Sequence, residues 1–170
     1  MNKNPAIFKG TPLSENDFTN GNILFITDTL NGKFGWDTGI AIGKYLEGLK
    51  NGVIYGVYCA KCRKTVVPPR VVCEWCFRPM THFVPLKDTG TVNTFSICYV
   101  TWDVKRIKTP EIPAVIEIDG ASPHHGILHK LGEVAPDQVI IGMRVKAVWK
   151  PINERIGSIT DIAYFKPIKE

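Results

Sequence analysis

The chain has 170 residues, of which 44% are hydrophobic and 22% are charged, and its formal net charge is +5. These values are ordinary for a globular protein and exclude an intrinsically disordered chain. No apolar stretch is long enough to span a bilayer, so neither a membrane protein nor a membrane partner is expected.

The first 52 residues predict an N-terminal arm that leads into a helix. Residues 1–21 combine proline and glycine without a hydrophobic period, which indicates an extended segment. They lack the apolar core of a signal peptide, and the five cysteines, four of them at metal-binding spacing, fit the reducing cytoplasm. The apolar run at residues 23–26 predicts either a short strand or a docking segment.

Residues 38–50 predict an amphipathic helix. Gly39 and Gly43 each weaken such a helix by about 1 kcal/mol relative to alanine, so it must pack on the body of the chain or on a partner subunit. The helix and the run at residues 23–26 are therefore candidate docking surfaces. The apolar stripe of the helix consists of Ile42, Tyr45, Leu46 and Leu49.

Residues 53–80 predict a zinc ribbon, because they contain two CxxC pairs separated by ten residues. Each pair places two thiolates on one tight turn, and a hairpin that joins two such turns supplies a tetrahedron of sulfur ligands. A redox CxxC needs only one pair, in a βαβ setting, and a disulfide framework suits a smaller secreted chain. Zinc, or iron in a rubredoxin-like site, is therefore predicted in a structural role, because four protein ligands leave no open position. The predicted ligands are Cys59, Cys62, Cys73 and Cys76.

The ribbon also carries most of the net charge. Residues 51–80 hold five basic groups and one acidic group, whereas the two signs nearly balance in the rest of the chain. Four thiolates and one divalent ion carry a formal charge of about −2, which nearby cations can offset. A phosphate-bearing partner, such as nucleic acid or coenzyme A, is the other explanation.

Residues 81–170 predict an all-β domain, in which short alternating segments are separated by turns. This pattern favours a small Greek-key barrel of the OB-fold type, with an open sandwich as the alternative. Residues 103–113 are predicted as a polar loop and residues 119–126 as a turn. The predicted strands are residues 53–58 in the ribbon and residues 81–86, 91–102, 114–118, 127–131, 144–150 and 159–165.

The fold class is thus mainly β, with an N-terminal helical arm at residues 1–52, a rubredoxin-like zinc ribbon at residues 53–80 and an OB-fold barrel at residues 81–170.

The fifth cysteine, Cys98, is the one candidate nucleophile outside the CxxC pairs. It lies in the predicted strand 91–102, opposite the apolar face formed by Phe95, Ile97 and Tyr99. A nucleophilic cysteine needs a base close by, and no local residue activates Cys98. We interpret it as a structural cysteine.

Three histidines cluster in sequence, and a histidine cluster can bind metal or relay protons. His124 and His125 are adjacent, so their side chains point opposite ways in an extended chain, and His129 lies in a predicted strand. The predicted arrangement is a solvated turn, and contact with the mouth of a partner's active site is the functional alternative.

Several motifs follow one another in a fixed order and spacing between residues 36 and 168. They are YLEGLKNG at residues 45–52, the first CxxC, VPPR at residues 67–70, the second CxxC, GTV at residues 90–92, residues 113–119 and IGMRV at residues 141–145. This series resembles the acyl-CoA-associated family that joins a rubredoxin-like zinc ribbon to an OB-fold. The CxxC pairs with the Pro-Pro-Arg between them are the most specific part of the resemblance.

This resemblance implies a non-catalytic small subunit. Members of the family partner thiolase-like enzymes, including thiolases, synthases and retro-aldolases that act on acyl-CoA, and help to enclose the bound coenzyme A. The N-terminal arm and the turn with His124 and His125 are not part of the shared pattern. We interpret them as specialisation, for example toward the thiolase of an aromatic acyl-CoA degradation pathway.

Basic side chains outside the barrel strands are candidates for contact with coenzyme A phosphates or with an acidic partner surface. Solvated loops are the simpler explanation for them. Nucleic-acid binding is the rival function, since zinc ribbons and OB-folds both bind nucleic acid, but the nearly neutral barrel makes it unlikely. The candidates are Arg63, Lys64 and Arg70 in the ribbon and Lys105, Arg106 and Lys108 in the loop.

Overall fold

The structure is a computed structural model that describes residues 12–24, 26–27, 29 and 31–168. It divides into two compact units, residues 1–36 and residues 37–170.

Among the described residues of the first unit there is one short helix, α1, at Glu15–Thr19. Ser14 begins this helix, since its backbone N–H and its hydroxyl both donate to the carboxylate of Asp17, at 2.8 and 2.7 Å. The prediction of an extended segment over residues 1–21 is therefore wrong at α1, and its residues 1–11 lie outside the described residues. Around the predicted strand 23–26, residues 23, 24 and 26 form no strand, and residue 25 is not among those described.

The second unit begins with helix α2, Gly39–Lys50. Tyr45 and Leu49 are buried in the main core, and Leu46 packs against the same core. Three of the four stripe residues therefore pack on the chain itself, which is the first of the two predicted ways to stabilise the helix, whereas Ile42 of the stripe and the neighbouring Ile40 are exposed. The use of α2 as a docking surface stays a prediction. Burial raises the pKa of Tyr45 to about 12, and its hydroxyl finds no hydrogen-bond partner among the described residues.

A three-stranded antiparallel sheet forms the ribbon. β1 lies in the middle and pairs antiparallel with β2 on one side and with β3 on the other. Val57, Val66 and Met80 pack with the cysteines in a small core of their own. The strands are β1 at Ile54–Cys59, β2 at Lys64–Val66 and β3 at His82–Leu86.

Five strands form the barrel, in the order β10-β9-β4-β7-β8, and every pairing between them is antiparallel. A parallel bridge between Leu131 and Phe165 brings the two outer strands together, and Gly132 N–H donates to Phe165 O at 2.9 Å. This arrangement is a partly open five-stranded OB-fold. The strands are β4 at Thr89–Phe95, β7 at Pro113–Ile118, β8 at Gly126–Lys130, β9 at Arg144–Trp149 and β10 at Ile162–Pro167.

The barrel core follows the predicted alternation in most strands. Ala114, Ile116 and Ile118 of β7 are buried, as are Val145 and Ala147 of β9. Two glycines permit the tight coiling around β7: a Cβ atom at Gly90 or Gly126 would overlap the β7 backbone carbonyls of Glu117 or Ile116. Short 3-10 helices at Pro136–Gln138, Ile152–Glu154 and Ile159–Asp161 complete the links.

The predicted long strand 91–102 is wrong, because it divides into two strands in different sheets. After β4, the chain forms β5 at Cys98–Val100, which pairs with β6 at Arg106–Glu111 in a separate two-stranded sheet. A bulge between Val92 and Thr94 changes which side chains face inward, so Val92 is buried while Ile97 and Tyr99 are exposed. The prediction of a loop at residues 103–113 is wrong, because this range contains all of β6 and the first residue of β7.

The longest helix in the described part of the chain is α2, with 12 residues, and no helix there is long and apolar enough to cross a bilayer.

Candidate metal centre and contact residues

The four predicted ligands lie together at the tip of the ribbon. β1 ends at Cys59, the tight turn before β2 carries Cys62, and a second turn carries Cys73 and Cys76. The residue after each CxxC, Arg63 or Phe77, has a φ of 53° or 55°. This left-handed conformation, uncommon for residues other than glycine, reverses the chain behind each pair of sulfurs.

The geometry of the sulfurs fits a tetrahedral metal ion. All four Sγ atoms lie within 4.8 Å of one another, with 3.7 Å between Cys59 and Cys76 and 3.8 Å between Cys62 and Cys73. A zinc ion with Zn–S bonds of about 2.3 Å requires sulfurs about 3.8 Å apart. The donor set and its spacing therefore fit a structural zinc site held by Cys59, Cys62, Cys73 and Cys76.

Electrostatics within the cluster show why a cation is needed. Burial and the neighbouring cysteine side chains raise the pKa of Cys62 to about 12. Burial alone would raise the pKa of Cys73 as well, but the backbone N–H groups of Cys76 and Trp75 outweigh it and bring that pKa to about 7. Four adjacent thiols cannot all ionise by themselves, and a divalent ion supplies the charge that lets them do so.

The ribbon is fastened to the barrel loop at residues 119–126. Thr65 N–H donates to Ser122 Oγ at 2.9 Å, and Ser122 N–H donates to Thr65 O at 2.9 Å. The ring of Trp75, inside the second CxxC, meets the ring of His125 edge to face at 5.3 Å. Lys64 Nζ also lies over the Trp75 ring, 4.5 Å from its centre.

The prediction of a solvated turn is correct for His124 and wrong for His125. His124 is exposed, with Nδ1 3.6 Å from a carboxylate oxygen of Glu117. His125 is buried against the ribbon, and this burial lowers its pKa. The two histidines therefore have different surroundings, since His124 is exposed beside Glu117 whereas His125 contacts Trp75 of the ribbon.

His129 is occupied by structural hydrogen bonds. Its Nδ1 accepts from Lys130 N–H at 2.9 Å, which leaves Nε2 as the donor to Ile159 O at 3.2 Å. Its ring also packs on Phe165 at 5.6 Å. With both nitrogens used, His129 ties β8 to the segment before β10 across the barrel opening.

The six candidate basic residues divide into paired and unpaired groups. Arg70 pairs with Glu74, Lys105 pairs with Asp103 at 2.6 Å, and Lys64 lies over Trp75. The other three, Arg63, Arg106 and Lys108, are exposed and make no ion pair in the part of the chain that the structure describes.

Sequence comparison places this geometry in a known family. Residues 46–80 match the family described as the ChsH2 rubredoxin-like zinc ribbon domain, and residues 83–150 match the ChsH2 C-terminal OB-fold domain. Over 120 residues the chain is 32% identical to a DUF35 domain-containing scaffold protein of Methanocaldococcus jannaschii, covering 68% of this chain and 82% of that protein. The chain belongs to the DUF35 family. The predicted resemblance to a zinc ribbon and OB-fold family is confirmed.

Solved structures resemble this DUF35 chain in fold. A DUF35 protein of unknown function from Sulfolobus solfataricus matches with a TM-score of 0.56 and 28% identity, covering 65% of this chain and 79% of that one. The Ltp2–ChsH2(DUF35) aldolase matches with a TM-score of 0.53 and 21% identity, covering 73% of this chain and 91% of that one. At that identity the likeness concerns the fold alone.

Sequence reasoning missed Asp161, a carboxylate with no exposed surface. It accepts hydrogen bonds from the backbone N–H groups of Ile156, Gly157 and Ser158, at 3.0, 2.7 and 3.0 Å. The signal that could have found it is the pattern Ser-x-x-Asp at residues 158–161, which is typical of a capping box.

Proposed function

We propose that this chain is the non-catalytic small subunit of an acyl-CoA thiolase-like complex. In this role it scaffolds the catalytic subunit and helps to enclose coenzyme A or acyl-CoA, which the two subunits share. A thiolase or thiolase-like retro-aldolase of aromatic acyl-CoA degradation in the cytoplasm is the partner that the sequence resemblance suggests. Residues 53–80 act as the metal-held joint and residues 81–170 as the supporting barrel.

The observation that carries this proposal is that no cysteine in the described chain is placed to act as a catalytic nucleophile. Four of the five belong to a closed metal centre, which offers no position to a substrate. Cys98 is half-buried in β5 and makes no hydrogen bond to a base within the described residues. The nucleophile of a thiolase-like reaction must therefore come from another subunit.

Two relatives support the same role. The relative from Methanocaldococcus jannaschii is named a scaffold protein. The solved Ltp2–ChsH2(DUF35) aldolase carries the DUF35 name beside that of a second component. Both names describe a protein that works with a partner.

Contact with coenzyme A is best assigned to Arg63, which follows the first CxxC, is exposed and makes no ion pair in the described chain. An arginine can bind a phosphate through two parallel hydrogen bonds. Arg106 and Lys108 lie on β6 and are better suited to contact an acidic partner surface. Lys64, Arg70 and Lys105 would first have to leave their present contacts.

Co-purification from native cells tests the proposal. We expect the tagged chain to isolate with a thiolase-sized protein, and the reconstituted pair to turn over an acyl-CoA that this chain alone does not. Cys98→Ser should leave that turnover within about twofold, because this thiol is not the nucleophile. Turnover by the isolated chain, or loss of several orders of magnitude in the Cys98→Ser complex, would overturn the assignment.

Nucleic-acid binding is the second candidate, favoured by one observation. The β5–β6 hairpin stands between the first two barrel strands, where OB-folds often bind oligonucleotides, and it exposes Tyr99 and Trp102 beside Arg106 and Lys108. Aromatic rings next to cations can stack on bases. An absorbance maximum at 260 nm in the native isolate, abolished by nuclease, would favour this candidate.

A further inference from the structure

The β5–β6 hairpin exposes an unusual amount of apolar surface. Trp102 at its tip is 96% exposed, Val104 is 83% exposed and Tyr99 is 50% exposed. Ile97 and Val100 add further exposed apolar side chains on the same short segment. Several exposed apolar side chains gathered on one short segment, unlike single scattered ones, indicate an interaction site.

The tip is held in a defined shape. Thr101 N–H donates to Lys105 O at 2.9 Å, and Val104 N–H donates to Thr101 O at 3.0 Å. The Thr101 hydroxyl also accepts from Lys105 N–H at 3.2 Å. Val104 has a φ of 64°, a conformation that is rare for a β-branched residue. The turn therefore holds the backbone around Trp102 in a defined conformation, which reduces the backbone entropy lost when the tip binds.

The rest of the fold stabilises the hairpin little. β5 and β6 pair only with each other among the described strands. An isolated two-stranded sheet is marginally stable in water, so a covering surface would stabilise it.

Charge indicates the chemistry of that covering surface. Lys105 is already neutralised by Asp103, whereas Arg106 and Lys108 have no ion pair in the described chain. The charge beside the apolar tip that remains uncompensated is therefore positive. Residues 97–111 hold three basic and two acidic groups. This small excess of positive charge is less than a protein needs to bind a nucleic-acid backbone, but it suits ion pairs with a few carboxylates on a protein surface.

We infer that the hairpin at residues 97–111 anchors the chain to its catalytic subunit. Trp102 and Val104 occupy an apolar pocket of that subunit, and Arg106 and Lys108 meet carboxylates at the rim of the pocket. This inference rests on the proposed function and specifies where the two subunits touch. A buried tryptophan ringed by polar contacts is the usual energetic centre of a protein interface.

The test uses the complete chain and the catalytic subunit identified by co-purification, both purified. Trp102→Ala should weaken binding at least about 10-fold, measured by calorimetry. Ile140→Ala is the matched control, because Ile140 is an apolar residue of the barrel domain that is also exposed. Both variants should keep the zinc content and melting temperature of the wild type, since each removes only exposed side-chain surface.

The charged rim has its own readout. The double variant Arg106→Gln, Lys108→Gln should slow association and flatten its dependence on salt between about 50 and 300 mM, because rim charges act mainly on the association rate. Lys130→Gln, which removes an exposed cation from β8, should leave the association rate and its salt dependence unchanged. A photo-crosslinker placed at position 102 should join the chain to the catalytic subunit.

The outcomes separate this inference from the function on which it rests. If the wild-type chain binds no catalytic subunit, both fail. If it binds and Trp102→Ala binds equally well, the hairpin is not the anchor and the proposed function stands. Crosslinking of position 102 to a second copy of this chain, or to nucleic acid, would likewise overturn the inference.

Discussion

Asp161 shows how a single residue organises the end of the barrel. A buried carboxylate is costly unless it is fully hydrogen-bonded, and here three consecutive backbone N–H groups, from Ile156 to Ser158, point at it. Burial acts to raise its pKa, but those three donors and the charge of Lys150 outweigh burial, so the pKa is lowered. The loop at residues 156–158 therefore needs the charged form of this side chain.

Asp161→Asn should destabilise the protein by about 2–4 kcal/mol, because an amide can satisfy fewer of the three N–H donors and adds donors of its own. Urea unfolding at pH 7 with zinc present measures this free energy. Asp137→Asn, in the exposed 3-10 helix Pro136–Gln138, is the matched control and should change it by less than about 0.5 kcal/mol. Equal effects of the two substitutions would contradict the role given to Asp161.

The same residue predicts a response to acid. Since the folded pKa lies below the ordinary value of 3.8, the contribution of Asp161 is complete above pH 3.8 and is lost as the pH falls through the folded pKa. The stability gap between the wild type and Asp161→Asn should therefore be constant from about pH 7 to pH 5 and narrow below pH 3.8. A gap that widens on acidification would contradict a lowered pKa of Asp161 in the folded protein.

Residue-scale prediction from the sequence succeeded where chemistry depends on local spacing. The two CxxC pairs are brought together as expected, because each pair forms its own turn. His125 was misjudged because its burial depends on Trp75, fifty residues away. The adjacency of two histidines suggests that their side chains point in different directions. It does not show which residues pack against either side chain.

At the scale of elements, the ribbon and barrel have separate cores that share one strand. Ile54, at the start of β1, belongs to the barrel core, whereas Val57 and Cys59 belong to the ribbon core. The ribbon core is small, and it is built around the cysteines. Its stability must therefore depend on the metal, while the barrel core can persist without it.

Removal of zinc by a chelator should open the ribbon and leave the barrel folded. We expect amide hydrogen exchange to accelerate at least about 100-fold in β2 and in the cysteine turns, and by less than about 3-fold in β7 and β9. Cys73→Ser should reproduce this pattern, and Cys98→Ser should keep the wild-type exchange with about one zinc per chain. Uniform acceleration across the barrel would show that the two cores unfold as one.

Strand prediction was reliable where one face is buried along the whole strand. β7 and β9 alternate cleanly, because each lies between two barrel strands and faces the core along its length. The segment 91–102 has the same alternation, but a bulge after Val92 and the separate β5–β6 hairpin leave Ile97, Tyr99 and Val100 exposed. Alternation identifies a strand, but it does not reveal which sheet the strand joins.

At the scale of the whole molecule, the described buried apolar residues lie in the unit at residues 37–170. Both hydrophobic cores lie there, while α1 in the first unit has no buried residue. Position 37 is also a sound place to begin a shortened chain, because Asp37 accepts a hydrogen bond from Gly39 N–H at 2.6 Å at the start of α2. The free energy of folding should therefore come almost entirely from the second unit.

Deletion of residues 1–36 should change the melting temperature by less than about 2 °C, since none of the residues that the structure describes in this segment belongs to either core. The same deletion should weaken binding to the catalytic subunit, because Phe18, Leu24 and Ile26 are exposed apolar side chains that a partner can cover. A full-length chain with Leu24→Ser and Ile26→Ser separates the two effects: it should melt like the wild type and bind like the deletion. Undiminished binding by both variants would remove the segment at residues 23–26 from the docking surface and leave the partnership to the second unit.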